Sequence, residues 1–160
     1  MAGKIKVAES SGSDVVLACI QSFGGIFPSD HGFLRRVAWV ESKDGTDPNT
    51  YRAGYHGGIW QVDKIGFEST KDTASHPGLR NKFASIKSSL SIDWTTVQWD
   101  DLRKPLYSAL AARLFLANIP SPIPSGLQEQ AAYWKNHYNT SSGAGSESKF
   151  VNDVKTLENK

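Results

Sequence analysis

Apolar residues recur at helical spacing in four stretches of the chain. Val15, Val16, Cys19, Ile20 and Phe23 share one face of a helix predicted over residues 13–23, with Gly24-Gly25 as its stop. Phe33, Leu34, Val37 and Ala38 form a second stripe. Its helix starts behind Ser29 or Asp30, both good N-caps, and reaches about Ser42. A third helix opens at Asp100 or Asp101, carries Leu102, Leu106, Ala109, Leu110 and Leu114 on one face, and ends at Asn118 and Pro120. Ser125 with Gln128 reads as a capping box for a fourth, whose stripe is Leu127, Ala131, Trp134 and Tyr138. Weaker helical signals cover 78–90 and 148–157. Prolines at 120, 122 and 124 make the preceding connector extended. Residues 141–146, rich in serine and glycine, read as a flexible loop. Period-two alternation is confined to a short piece at 58–62. The pattern predicts one mostly α domain over 1–160, with at most a very small β element and a poorly ordered tail at 1–12.

Glu41 breaks the second stripe. It is the next step on the apolar face of Phe33, Leu34, Val37 and Ala38, where the pattern asks for another apolar residue. A carboxyl group desolvated there keeps its proton to higher pH. A carboxylic acid protonated near neutrality is what general-acid cleavage of a glycosidic bond requires. The alternative for this helix alone is a terminal glutamate that swings to solvent or pairs with Arg35 or Lys43.

Composition narrows the partners. Net charge is +2 and the basic residues are scattered, so no nucleic-acid partner is expected. No apolar stretch is long enough to span a bilayer. Cys19 is the sole cysteine, on an apolar stripe, and reads as a buried structural thiol. No Cys/His cluster has metal-ligand spacing, and neither a metal nor a cofactor is expected. The first residues lack the apolar core of a signal peptide. A monomer is expected.

The irregular stretch after Glu41 is the second clue. Residues 43–58 hold Asp44, Gly45, Asp47, Pro48, Gly54, Gly57 and Gly58, which demand turns. Long irregular loops in small domains tend to be functional. The stretch leads into Gly57-Gly58-Ile59-Trp60-Gln61-Val62-Asp63. Here Gly58 would let backbone approach a ligand. Trp60 offers an aromatic face to a sugar or a body for the core, Gln61 an amide, and Asp63 a second carboxylate. His56, Tyr51 and Tyr55 are further contact candidates, each with ordinary loop packing as the alternative. His137 reads as structural.

In order, Glu41-Ser42, Asp47-Pro48-Asn49, Gly57-Gly58-Ile59-Trp60-Gln61-Val62-Asp63 and Tyr138-Asn139 resemble the motifs of goose-type lysozymes and soluble lytic transglycosylases. The resemblance runs over about 33–154, with 65–116 matched by helix pattern only. It implies a lysozyme-like α domain with a substrate cleft, and cleavage of the β-1,4 bond between N-acetylmuramic acid and N-acetylglucosamine in peptidoglycan. It implies Glu41 as proton donor and Asp63 as holder of the attacking water. Ser42, His56, Gly58, Trp60, Gln61, Tyr138 and Asn139 would bind substrate, the Tyr138 hydroxyl reaching Glu41 or an acetamido group. It also favours a secreted protein. In the transglycosylase branch the substrate's own hydroxyl replaces water, and one glutamate suffices.

Two departures stand out. The goose-type pattern has another loop aspartate eleven positions before the one matched by Asp63, where this chain has Arg52. Asp44 or Asp47 could replace it spatially. Trp60 replaces a methionine, which opens chitin-type oligosaccharides as alternative substrates. The lost aspartate also leaves room for a non-enzymatic sugar-binding protein.

Overall fold

Seven α-helices joined by short 3-10 and irregular segments make up the computed structural model, which describes residues 3–139 and 145–159. The helices are α1 (Ser13–Gln21), α2 (Phe33–Ser42), α3 (Lys64–Ser69), α4 (Leu79–Leu90), α5 (Pro105–Ala117), α6 (Leu127–Tyr133) and α7 (Glu147–Glu158). No strand occurs among the described residues, so the expected β element at 58–62 is absent. Backbone turns replace it, with Gln61 N–H donating to the Gly58 carbonyl and Val62 N–H to that of Gly57. No helix among the described residues is long and apolar enough to cross a membrane.

Helix α5 is the axis of the molecule. Nearly all its residues are buried, including Ala109, Leu110, Ala111, Ala112 and Leu114 on all sides of the helix. A helix apolar all round needs neighbours all round. Helices α1, α2 and α3 and the turns Lys4–Lys6 and Trp99–Arg103 pack against it. The predicted start of this helix at Asp100 or Asp101 is corrected by Pro105. Proline lacks the N–H and clashes inside a helix, so 99–103 closes as a separate 3-10 turn and Pro105 becomes the first residue of α5.

The N-terminal segment is docked rather than a loose tail. Ile5 is buried, Glu9 pairs with Arg103, and Gly12 N–H donates to the Asp44 carbonyl at 2.9 Å. Helix α2 starts where Asp30 accepts hydrogen bonds from the N–H groups of Gly32 and Leu34. The expected Ser125 capping box does not form, and Gly126 stands at the N-cap without a side-chain bond. Helix α6 then widens into a π-helical segment, Trp134–Asn139. The serine–glycine loop at 141–146 lies mostly outside the described residues. Ser146 caps α7 by accepting from Lys149 N–H at 3.1 Å. Cys19 is fully buried, and burial pushes its thiol up to about 12.

Candidate active site

Helix α2 delivers Glu41 to the edge of a groove. Phe33, Leu34, Val37 and Ala38 are all fully buried, which fixes the rotation of the helix and places Glu41 one turn further along the same face. The helix stops at Ser42, and Lys43 and Asp44 follow with φ of 50° and 60°. Two successive left-handed residues that are not glycine cost about 1–2 kcal/mol each. Tertiary contacts hold them there. The Arg35 guanidinium donates to both oxygens of the buried Asp44 at 2.8 and 3.2 Å. Asp44 is thus committed to an ion pair with Arg35 and lies outside the wall of the groove that holds Glu41.

The turn 57–61 is clamped from three directions. The Ser42 hydroxyl donates to the Ile59 carbonyl at 2.6 Å. Ser108 of α5 donates to the Gly57 carbonyl at 2.8 Å and accepts from Trp60 N–H at 3.0 Å. The Tyr138 hydroxyl donates to the Trp60 carbonyl. Gly58, with φ of 71°, presses on α5: a Cβ there would strike the Leu102 carbonyl and come to 2.7 Å of Ser108. The close approach at Gly58 is to Leu102 of the 99–103 turn and to Ser108 of α5.

Several expected substrate contacts change role for the same reason. Trp60 is fully buried and donates its indole N–H to the Leu34 carbonyl at 2.9 Å, so it belongs to the core. Tyr138 is anchored on the Trp60 carbonyl, and burial, followed by the nearby Glu41 carboxyl, raises its phenol. Gln61 lines the groove, but its amide donates to the Thr50 and Gly58 carbonyls and accepts from Arg52. Asn139 accepts from Lys135 at 2.9 Å. His56 packs its ring against Trp99 at 5.1 Å. Tyr51 lies close enough to Cys19 to feel it, and burial pushes its phenol up to about 12. Tyr55 donates to the Gln61 carbonyl at 2.8 Å. Ser42 does touch the groove, though its hydroxyl is committed to the turn.

Asp63 is the N-cap of α3, accepting from Gly66 N–H at 2.7 Å, on an exposed surface. It is not in the wall of the groove beside Glu41. The six-residue helix behind it was too short to announce itself by periodicity. Asp47 is in that wall, with one oxygen accepting from Asn49 N–H at 2.8 Å.

The groove has a volume of about 380 Å³, and its wall includes Glu41, Asp47, Arg52, Gln61, Lys149 and Asp153. The residue missed in the sequence is Trp134. Its indole N–H donates to Glu41 Oε2 at 2.9 Å, across 93 positions of sequence. The ring is held against Phe150 at 5.5 Å, and a Cβ on Gly145 would collide with it. Trp134 lay on a helical stripe with Tyr138, which signals burial but not the partner.

Burial pushes the Glu41 carboxyl up to about 7 from an ordinary 4.5, and the Trp134 N–H, Lys149 and Arg52 pull less strongly the other way. Indole N–H is a donor only, so Oε2 is the accepting oxygen and the acid proton belongs on the other one. Near neutral pH this group can give up a proton and leave a carboxylate that one hydrogen bond and two cations stabilise. Among the described residues, no three His, Cys, Asp or Glu side chains gather as metal ligands would. Comparison with protein-family models, with curated proteins and with solved structures gives no match to this chain.

Proposed function

We propose that the protein is a lysozyme-like glycosidase that cleaves the β-1,4 bond between N-acetylmuramic acid and N-acetylglucosamine in peptidoglycan. Glu41 is its general acid. The observation that carries this reading is a desolvated glutamate at the edge of an open groove, held near pKa 7 and oriented by Trp134. Glu41 gives its proton to the glycosidic oxygen as the C–O bond breaks and the bonding pair stays with that oxygen. The resulting carboxylate keeps the Trp134 hydrogen bond. Water then attacks the sugar carbon and loses its proton to a base. Asp47 is the carboxylate in the groove wall that can accept it. Attack by water from the opposite face inverts the anomeric carbon.

Arg52 favours a second reading. Where the goose-type pattern calls for an aspartate, the groove has a cation. With Asp47 turned to the Asn49 N–H, the substrate's own hydroxyl can replace water and hand its proton back to Glu41, giving an anhydro sugar. Mass spectrometry of digested peptidoglycan separates the outcomes. Reducing-end muramic acid indicates hydrolysis, and anhydromuramic acid indicates transglycosylation. No product from cell walls or chitin oligomers, with binding retained, would make the protein a sugar-binding one. Turnover is expected to fall as pH rises through about 7, where Glu41 loses its proton.

A further inference from the structure

The groove is more cationic than acid catalysis needs. With Glu41 protonated, its wall presents Lys43, Arg52 and Lys149 against the carboxylates of Asp47 and Asp153. Asp153 is shared by the two lysines, at 3.3 Å from Lys43 and 2.7 Å from Lys149. Lys149 is also tied to the Val40 carbonyl at 3.1 Å. Arg52 forms no ion pair among the described residues.

Arg52 is nonetheless held in place. Its Nη1 donates to the Asn49 carbonyl and to Gln61 Oε1, both at 2.9 Å. The guanidinium carbon lies 3.8 Å from the centroid of the Tyr55 ring. Tyr55 is fixed in turn by its bond to the Gln61 carbonyl and by Trp99 at 5.5 Å. With the Tyr55 hydroxyl as a further contact, an arginine held in this way still has donors of its five-donor fork left for an incoming group. A planar fork suits a carboxylate. Ordering such a side chain beforehand lowers the entropy lost on binding.

We propose that Arg52 is a specificity-determining residue that reads the free lactyl carboxylate of N-acetylmuramic acid, so that the groove takes peptide-free strands over strands whose lactyl groups are amidated. This rests on the glycosidase reading and extends it to the substrate's charge. The sugar chain supplies the counter-ion that the loop lacks.

The test uses two probes with the same backbone. One is peptide-free strands of alternating N-acetylglucosamine and N-acetylmuramic acid with free lactyl carboxylates. The other is the same strands with those carboxylates converted to methyl amides. Binding is measured by calorimetry on the Glu41→Gln protein, which does not consume either probe. The acid strand is expected to bind about two- to fivefold more tightly, the range of an exposed ion pair. Arg52→Gln in the same background should collapse the ratio to about one, and Arg52→Lys should restore part of it, because a point charge keeps the attraction without the fork. A loop that merely loosens would weaken both strands together and leave the ratio standing, which would overturn the proposal. Equal binding of both strands by the parent protein would overturn it too, leaving the glycosidase reading intact. Binding of neither strand would remove both.

Discussion

Two hollows of similar size lie in this molecule, the groove of about 380 Å³ beside Glu41 and a cavity of about 290 Å³ behind the proline-rich connector. Each has a desolvated ionisable side chain in its wall. In the second it is Arg113, which is buried, donates through Nη2 to the Pro28 carbonyl at 2.8 Å, and stands 4.9 Å from the Phe27 ring. Burial lowers the Arg113 pKa, but a guanidinium stays charged across the range in which proteins work. Glu41 responds to the same stress by keeping its proton. Desolvation of an acid thus yields a group that can transfer a proton near neutrality, whereas desolvation of an arginine yields only an anchor. Both groups also face partners that favour their charged forms, a donor and two cations for Glu41 and the Asp30 carboxylate for Arg113, and in each case burial outweighs them.

The sharpest way to break this contrast is to neutralise each group. Glu41→Gln should cut turnover by about 10²–10⁴-fold, the usual worth of a general acid. Arg113→Ala should leave turnover per folded molecule in place and cost about 2 kcal/mol of stability through lost packing. Cell-wall clearing alongside urea unfolding reads both. Loss of turnover in folded Arg113→Ala protein would dissolve the distinction.

The stability of Glu41→Gln has its own sign. The folded pKa of Glu41 is raised, so the unfolded chain ionises first, and wild-type stability falls as pH rises from about 4.5 to about 7. The glutamine variant escapes this. It should match wild type below pH 4.5 and exceed it by up to about 3 kcal/mol above pH 7. A constant difference across pH would show that Glu41 is not desolvated.

Trp134→Phe keeps an aromatic body beside Phe150 and removes the donor. Without that bond the Glu41 pKa should rise above 7, carrying the alkaline limb of the pH–rate profile upward, while the rate falls about tenfold as the carboxyl loses its orientation. A limb that moves down would put the hydrogen bond on the wrong side of the balance.

The smallest effect belongs to Asp63. Asp63→Ala should cost about 1 kcal/mol as the cap of α3 is lost, and Asp63→Asn should cost almost nothing, since asparagine caps equally well. Both should keep their turnover. If Asp63→Asn folds normally yet stops hydrolysis, Asp63 rather than Asp47 holds the water.

Glu41 shows what a sequence can carry. Its signal is local: four apolar residues at helical spacing fix a buried face, and the next position on that face is acidic. The helices α1, α2 and α5 are legible for the same reason, because 3.6-residue periodicity is a property of neighbours. Trp60 and Trp134 show where this stops. Both are buried in the core, and their indole N–H groups go to different partners, a backbone carbonyl for Trp60 and the Glu41 carboxyl for Trp134. The distinction rests on partners 26 and 93 positions away. Asp63 caps α3, which is too short to leave a stripe, and Gly58 lies against Leu102 and Ser108, 44 and 50 positions downstream. Arg52 was visible as a residue of the wrong charge. Only the packing of its loop onto Gln61 and Tyr55 puts that charge in the groove wall. The sequence by itself determined a mostly helical chain and a carboxyl group set to be desolvated, since both follow from contacts within a turn or two. Tertiary structure alone decided that carboxyl's donor, the nearby carboxylate and the groove's charge, since each depends on side chains that meet only when distant helices pack.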